Sequence, residues 1–274
     1  MLRRFFVCLV ALTLIVPILT PDPARAQVAP SDQVLDALQL DELLAIMRQE
    51  GVAYGQDMAT DMFASGENAQ WQALLDQIYD IDKMEAVVRK HFGDSLGDAD
   101  TAALLSFFAS DLGQEVVTLE LRARKAMIDD AVEQAARASY YETDDKDLAG
   151  VTAFIEANDL IEANVTGALN ASFQFYRGMV DGGGFEMSES EILSDVWAQE
   201  EETRNDTREW IYGFLMLAYD PLEAEQLDAY VAFSSSPEGR ALNRALFAGF
   251  NKMYDDISYA LGLAAARQMQ GQDL

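Results

Sequence analysis

Phe107-Phe-Ala-Ser110-Asp-Leu-Gly113 and Phe233-Ser-Ser-Ser236-Pro-Glu-Gly239 are two readings of one pattern, F-x-x-S-x-x-G, set 126 positions apart. The agreement resumes at Met127-Ile-Asp-Asp130 and Met253-Tyr-Asp-Asp256. From Leu96 to Asp130 the offset runs without gaps, and eight of the 35 aligned positions are identical; unrelated helical sequence of this composition gives roughly two. Carried further back, the same offset pairs Trp71 with Trp197. The expectation is a tandem duplication and an all-α fold.

Each copy reads as a short helix, a corner and a long helix. An apolar run ends at Ser110 or Ser236, whose side-chain oxygen can accept from the free amides that open a new helix. Pro237 suits the first helical position, where no amide proton is needed. Glu238, or Asp111 in the first copy, places a carboxylate at the positive helix end. Gly113 and Gly239 fall in the first turn, where glycine is unfavourable by about 0.8–1.0 kcal/mol against alanine. A glycine repeated at that cost predicts close helix approach. Beyond the second corner, Leu242, Leu246, Phe250, Met253, Ile257 and Leu261 keep to one helical face.

The stretch from Phe233 to Arg240, F-x-S-S-P-x-G-R, resembles the signature of a family of secreted bacterial proteins, domain of unknown function 2059. The family's usual form is an aromatic pair followed by Ser-Pro-x-Gly and a basic or amide residue. The second copy matches at Ser236, Pro237, Gly239 and Arg240 and departs at Ser234. The first copy keeps Phe107 and Phe108 and carries Asp111 in place of the proline. The resemblance implies an envelope location and an all-helical fold, and brings no activity with it.

Residues 1–26 read as a secretory signal peptide: Arg3 and Arg4, an apolar core from Phe5 to Leu19, and Ala24-Arg-Ala26 as the cleavage site. The apolar core is shorter than the ~20 residues of a membrane span. The expected mature chain has 16 basic and 46 acidic side chains, a net charge of −30. Such a field disfavours nucleic acid and anionic lipid as partners, and no apolar run after cleavage is long enough to cross a membrane. Cleavage removes Cys8, the one cysteine, and with it disulfide, thiol and Cys-metal chemistry.

The pattern divides into a first helical unit over 27–140, an acidic connector over 141–150 and a second helical unit over 151–274. In the first unit helices are expected from Ser31 to Leu38, from Asp41 to about Phe63, from Ala69 through Phe92 with a bend near Asp80, and from the Ser110 corner to about Ala138. In the second, helices are expected near 148–157 and 160–179. Ser188 and Glu191 then form a capping box, and the last helix runs to about Met269. The acids of the connector, Glu142, Asp144, Asp145 and Asp147, lack the spacing of a calcium loop and read as a solvated linker.

Catalytic groups are scarce. His91 is the one histidine, with no nucleophile elbow and no second imidazole for a metal. Phosphate loops and dinucleotide fingerprints are absent, so no cofactor is implied. Asp129, Asp130, Asp255 and Asp256 are the weak metal candidates, although adjacent helical residues diverge by about 100°. The candidate binding residues are Phe107, Phe108, Phe233 and Arg240 at the corners, with Asn164, Tyr176 and Arg177 on the helix after the connector. The leading expectation is a non-enzymatic periplasmic module binding a protein or small apolar ligand between its repeats. A carboxylate-dependent envelope hydrolase and an acidic chaperone are the alternatives.

Overall fold

In a computed structural model the protein is described over residues 29–63 and 68–272. The signal-peptide reading, and most of the stretch between the helices expected to end near Phe63 and to begin at Ala69, lie outside the described residues. Those described are mostly helical, with no strand among them. The first seven are α1 (Pro30–Ala37), α2 (Leu40–Met62), α3 (Ala69–Ile78), α4 (Ile81–Leu96), α5 (Thr101–Phe108), α6 (Asp111–Ala126) and α7 (Asp130–Glu142). The second series is α8 (Ala149–Ala157), α9 (Leu160–Asp181), α10 (Glu189–Ala198), α11 (Glu200–Tyr219), α12 (Ala224–Ser234) and α13 (Pro237–Gln272). The order short, long, short, long, short, long therefore occurs twice. In both series the second helix is entered through one residue in the left-handed region, Gln39 at φ 55° and Asp159 at φ 51°.

The corners form as their sequences require. Ser110 Oγ accepts from Gly113 N at 3.1 Å, and Ser236 Oγ from Gly239 N at 3.0 Å. A Cβ on Gly113 would lie 2.2 Å from the Phe107 carbonyl oxygen, and one on Gly239 2.3 Å from that of Phe233. The new helix thus starts against the backbone of the one just ended, a position without room for a side chain. Ser188 and Glu191 close the expected capping box.

Three expectations change. The helix after the first corner stops at Ala126, and Asp129 caps a new one by accepting from Ala131 N at 2.9 Å. The same motif in α13 runs on unbroken. The helix expected to end at Phe92 runs on to Leu96 and stops at Gly97, in positive φ. Trp71 and Trp197 occupy unlike places: Trp71 is fully buried and donates to the Gly55 carbonyl at 2.8 Å, whereas Trp197 is 71 % exposed on α10.

The packing crosses between the halves. α4 lies against α13, and α11 lies against α6 and α7, so each half's fourth helix packs on the last helical stretch of the other. One core joins α1–α5 to Leu242, Ala245, Met253, Ile257 and Leu261 of α13; the other joins α8, α11 and α12 to Val116 and Ala123 of α6. Where the corners meet, Phe107 and Phe233, counterparts at the 126-residue offset, stack with ring centroids 3.7 Å apart and planes 6° from parallel.

Two outcomes follow from this packing. Gly239→Ala is expected to lower stability by about 1–3 kcal/mol, since the clash is with backbone and not with a movable side chain; the urea midpoint checks it. A chain ending at Glu142 loses the α13 side chains of the first core, each worth about 1.5–3 kcal/mol on burial. It is expected to show no cooperative urea transition as a monomer by circular dichroism.

Candidate binding site

Three helix faces converge on a groove. From α2 come Leu43, Met47, Glu50, Gly51 and Tyr54, spaced to lie on one side of the helix. The facing side of α9 carries Asn164, Gly167, Ala168, Ala171, Ser172, Phe175 and Tyr176, small in its first three turns and aromatic at the far end. Along α13 run Asn243, Leu246, Phe247, Phe250, Asn251, Tyr254, Ile257, Ser258 and Leu261. Because α9 hugs α13 while α2 touches it only lightly, the space between α2 and α9 stays open. It comprises two adjoining cavities of about 480 and 560 Å³, which share Met47, Ala168, Ala171 and Tyr254 in their walls.

Its charged groups are few and paired. Arg124, on α6, grips both carboxylate oxygens of Glu50, Nε donating to Oε1 at 3.0 Å and to Oε2 at 3.3 Å and Nη2 to Oε2 at 2.7 Å, and Nη2 also reaches Tyr254 Oη at 3.5 Å. Burial opposes the charge on Arg124, but Tyr254 and Glu50 outweigh it and make the guanidinium more basic than usual. Trp210 from α11 completes the wall of the first cavity and stacks on Phe214.

A smaller cavity of about 200 Å³ lies beside the meeting point of the corners, with Phe108, Phe233, Gly239 and Leu242 in its wall. Glu120 of α6 enters it from the first half, and Tyr219 and Tyr230 from the second. Both phenols donate to the same oxygen, Glu120 Oε1, at 2.7 and 3.1 Å. Burial raises the pKa of Glu120, opposed in part by these two hydrogen bonds. Burial first and the Glu120 charge second push both tyrosines well above the ordinary phenol value.

The structure divides the residues singled out from the sequence. Phe107, Phe108 and Phe233 form the junction of the corners, while Arg240 is exposed on the first turn of α13 and lines none of these cavities. Asn164 and Tyr176 line the groove; Arg177 points outward, 5.9 Å from the Phe173 ring. The four aspartates form no common site. Asp129 is a helix cap, Asp130 is exposed and Asp256 pairs with Lys252; Asp255 alone keeps a buried oxygen without a partner. Among the described residues no group of three or more metal-ligating side chains occurs, and no helix is long and apolar enough to cross a membrane. Sequence reasoning missed Glu120, Arg124 and the small-residue face of α9. The last had a signal, since the i, i+3, i+4, i+7 stripe of α9 carries Gly and Ala where a core helix carries Leu and Ile.

Residues 82–139 match the family model described as "Uncharacterized protein conserved in bacteria (DUF2059)". Comparison with curated proteins and with solved structures gives no match. The matched segment is almost the whole of α4–α7, and it contains the first corner; the second corner lies outside it. In this fold the two ends of that segment pack chiefly on the other half of the chain, α4 on α13 and α7 on α11.

Glu120 carries a pH prediction. A carboxyl whose folded pKa is raised binds more protons folded than unfolded, so its contribution to stability falls as pH rises from the unfolded value near 4.5 toward the folded one. Glu120→Gln keeps an oxygen for both phenols and removes the ionisation. Thermal unfolding between pH 4.5 and 7.5 is expected to show the wild type losing stability relative to the variant as pH rises.

Proposed function

We propose that this chain is an exported, non-enzymatic binding module whose two helical halves arose by duplication, and that its ligand is an elongated apolar molecule held in the groove between α2 and α9. One observation carries the reading: three helices turn apolar and small side chains toward an open space, while the charges beside it, Arg124 and Glu50, neutralise each other. Concave, largely apolar spaces between helices are where small ligands bind. The glycine and alanines of α9 set the depth of the groove, and Trp210, Phe247, Phe250 and Phe175 offer broad contact surfaces. The basic start and apolar core of residues 1–26, with the bacterial family match, support export to the periplasm.

Ala171 lines both parts of the groove, so Ala171→Trp fills the space without altering a charge. With N-phenyl-1-naphthylamine, a neutral apolar fluorophore, mature 27–274 is expected to give saturable enhancement, and Ala171→Trp to weaken it at least tenfold. Native mass spectrometry of the same two proteins recovered from the periplasm is expected to show a retained mass on the wild type alone. Equal fluorophore binding by the two proteins would remove the groove from consideration.

A further inference from the structure

The cavity beside the corners has a different character from the groove, and side-chain acceptors in its wall are left open. Glu120 Oε1 is satisfied by Tyr219 and Tyr230, whereas Oε2 accepts no hydrogen bond from the described residues. Ser234 is 4 % exposed, and its hydroxyl has no partner among the described residues. Asn243 donates one of its two amide N–H groups to the Asn158 carbonyl at 2.6 Å, and its Oδ1 receives no donor from the described residues. All three side chains line the same cavity, and Asn158, Gly239, aromatic rings and leucines make up the rest of its wall. Glu120 has no Lys or Arg within salt-bridge distance among the described residues. Glu120 is partly buried, and a cation beside its open oxygen offsets the cost that partial loss of water imposes on the carboxylate.

From these groups we infer that the cavity is a binding site for the primary ammonium group of a small amine with an apolar body. Such a group carries three N–H donors and no acceptor, which suits a wall rich in open oxygen acceptors, where the Ser234 hydroxyl can turn its own proton aside. Phe154, Tyr219 and Tyr230 add ring surfaces that attract a cation, their centroids 4.7 to 6.0 Å from one another. At about 200 Å³, the cavity equals roughly six waters at ~30 Å³ each, which sets the ligand to a few carbons beyond the nitrogen. The strongly negative chain raises the local concentration of cations around it. The site is distinct from the groove, although Asn243 and Leu246 stand in the walls of both.

The test is calorimetric titration of mature 27–274 with n-butylammonium and, separately, with n-butanol of similar shape, in about 0.15 M salt so that loose surface association is screened. Saturable butylammonium binding at least tenfold tighter than butanol is expected. Glu120→Gln should weaken it at least tenfold while leaving N-phenyl-1-naphthylamine uptake in the groove unchanged. Ser234→Ala removes one acceptor, removes no cavity wall and is expected to cost about two- to tenfold, a second reading should the Gln variant fail to fold. Absence of saturable uptake, equal affinity for butanol, or binding indifferent to both substitutions overturns the assignment. Loss of fluorophore binding in Ala171→Trp with ammonium binding intact separates this site from the groove.

Discussion

The constraint on which the rest depends is the exchange of long helices between the halves. Neither α4 nor α11 finds its main partner in its own half: α13 covers α4, and α6 with α7 covers α11. The two cores are completed reciprocally, and the stacked pair Phe107 and Phe233 marks where the exchanged segments pass each other. Aromatic stacking adds only about 0.5–1.5 kcal/mol beyond burial. The exchange rests on the apolar faces that α4 and α11 would otherwise leave in water, Met84, Val88 and Phe92 in one case and Ile211 and Leu215 in the other.

That arrangement also explains where open space appears. Once α13 is committed to both α4 and α9, the second helices of the two halves are left on either side of it, α9 pressed close and α2 standing off. The groove is the interval between them. The smaller cavity arises at the crossing itself, where α6 brings a carboxylate from one half to phenols of the other. Both spaces are therefore products of the exchange, and neither half has one alone.

Much of the architecture was legible. Helical periodicity and the serine caps predict an all-helical chain with corners at Ser110 and Ser236, and both caps form. The costly glycines at 113 and 239 report the close approach that the structure shows. What failed was local competition and long-range pairing. Asp129 and Asp255 occupy matched positions, yet the first carboxylate turns back to cap a new helix while the second stays inside a continuous one. Trp197 matches Trp71 in register and is left in solvent. Asn164 and Tyr176 stood out in the sequence, but the groove stayed hidden because Gly167, Ala168 and Ala171 carry nothing to mark a site until α2 is placed across from them. Glu120 was one acid among many, and only the meeting of α6 with α11 and α12 distinguishes it.

The reciprocal packing sets a timetable for the nascent chain. Contacts between α4 and α13 join segments more than a hundred residues apart, and such non-local pairing is slow because the closure entropy comes before the contacts that reward it. As the chain emerges from its N-terminus, α1 to α5 stand complete in sequence but lack their covering helix until the final stretch arrives. For that interval the apolar side of α4 is exposed, and the first half is the part most in need of protection from aggregation.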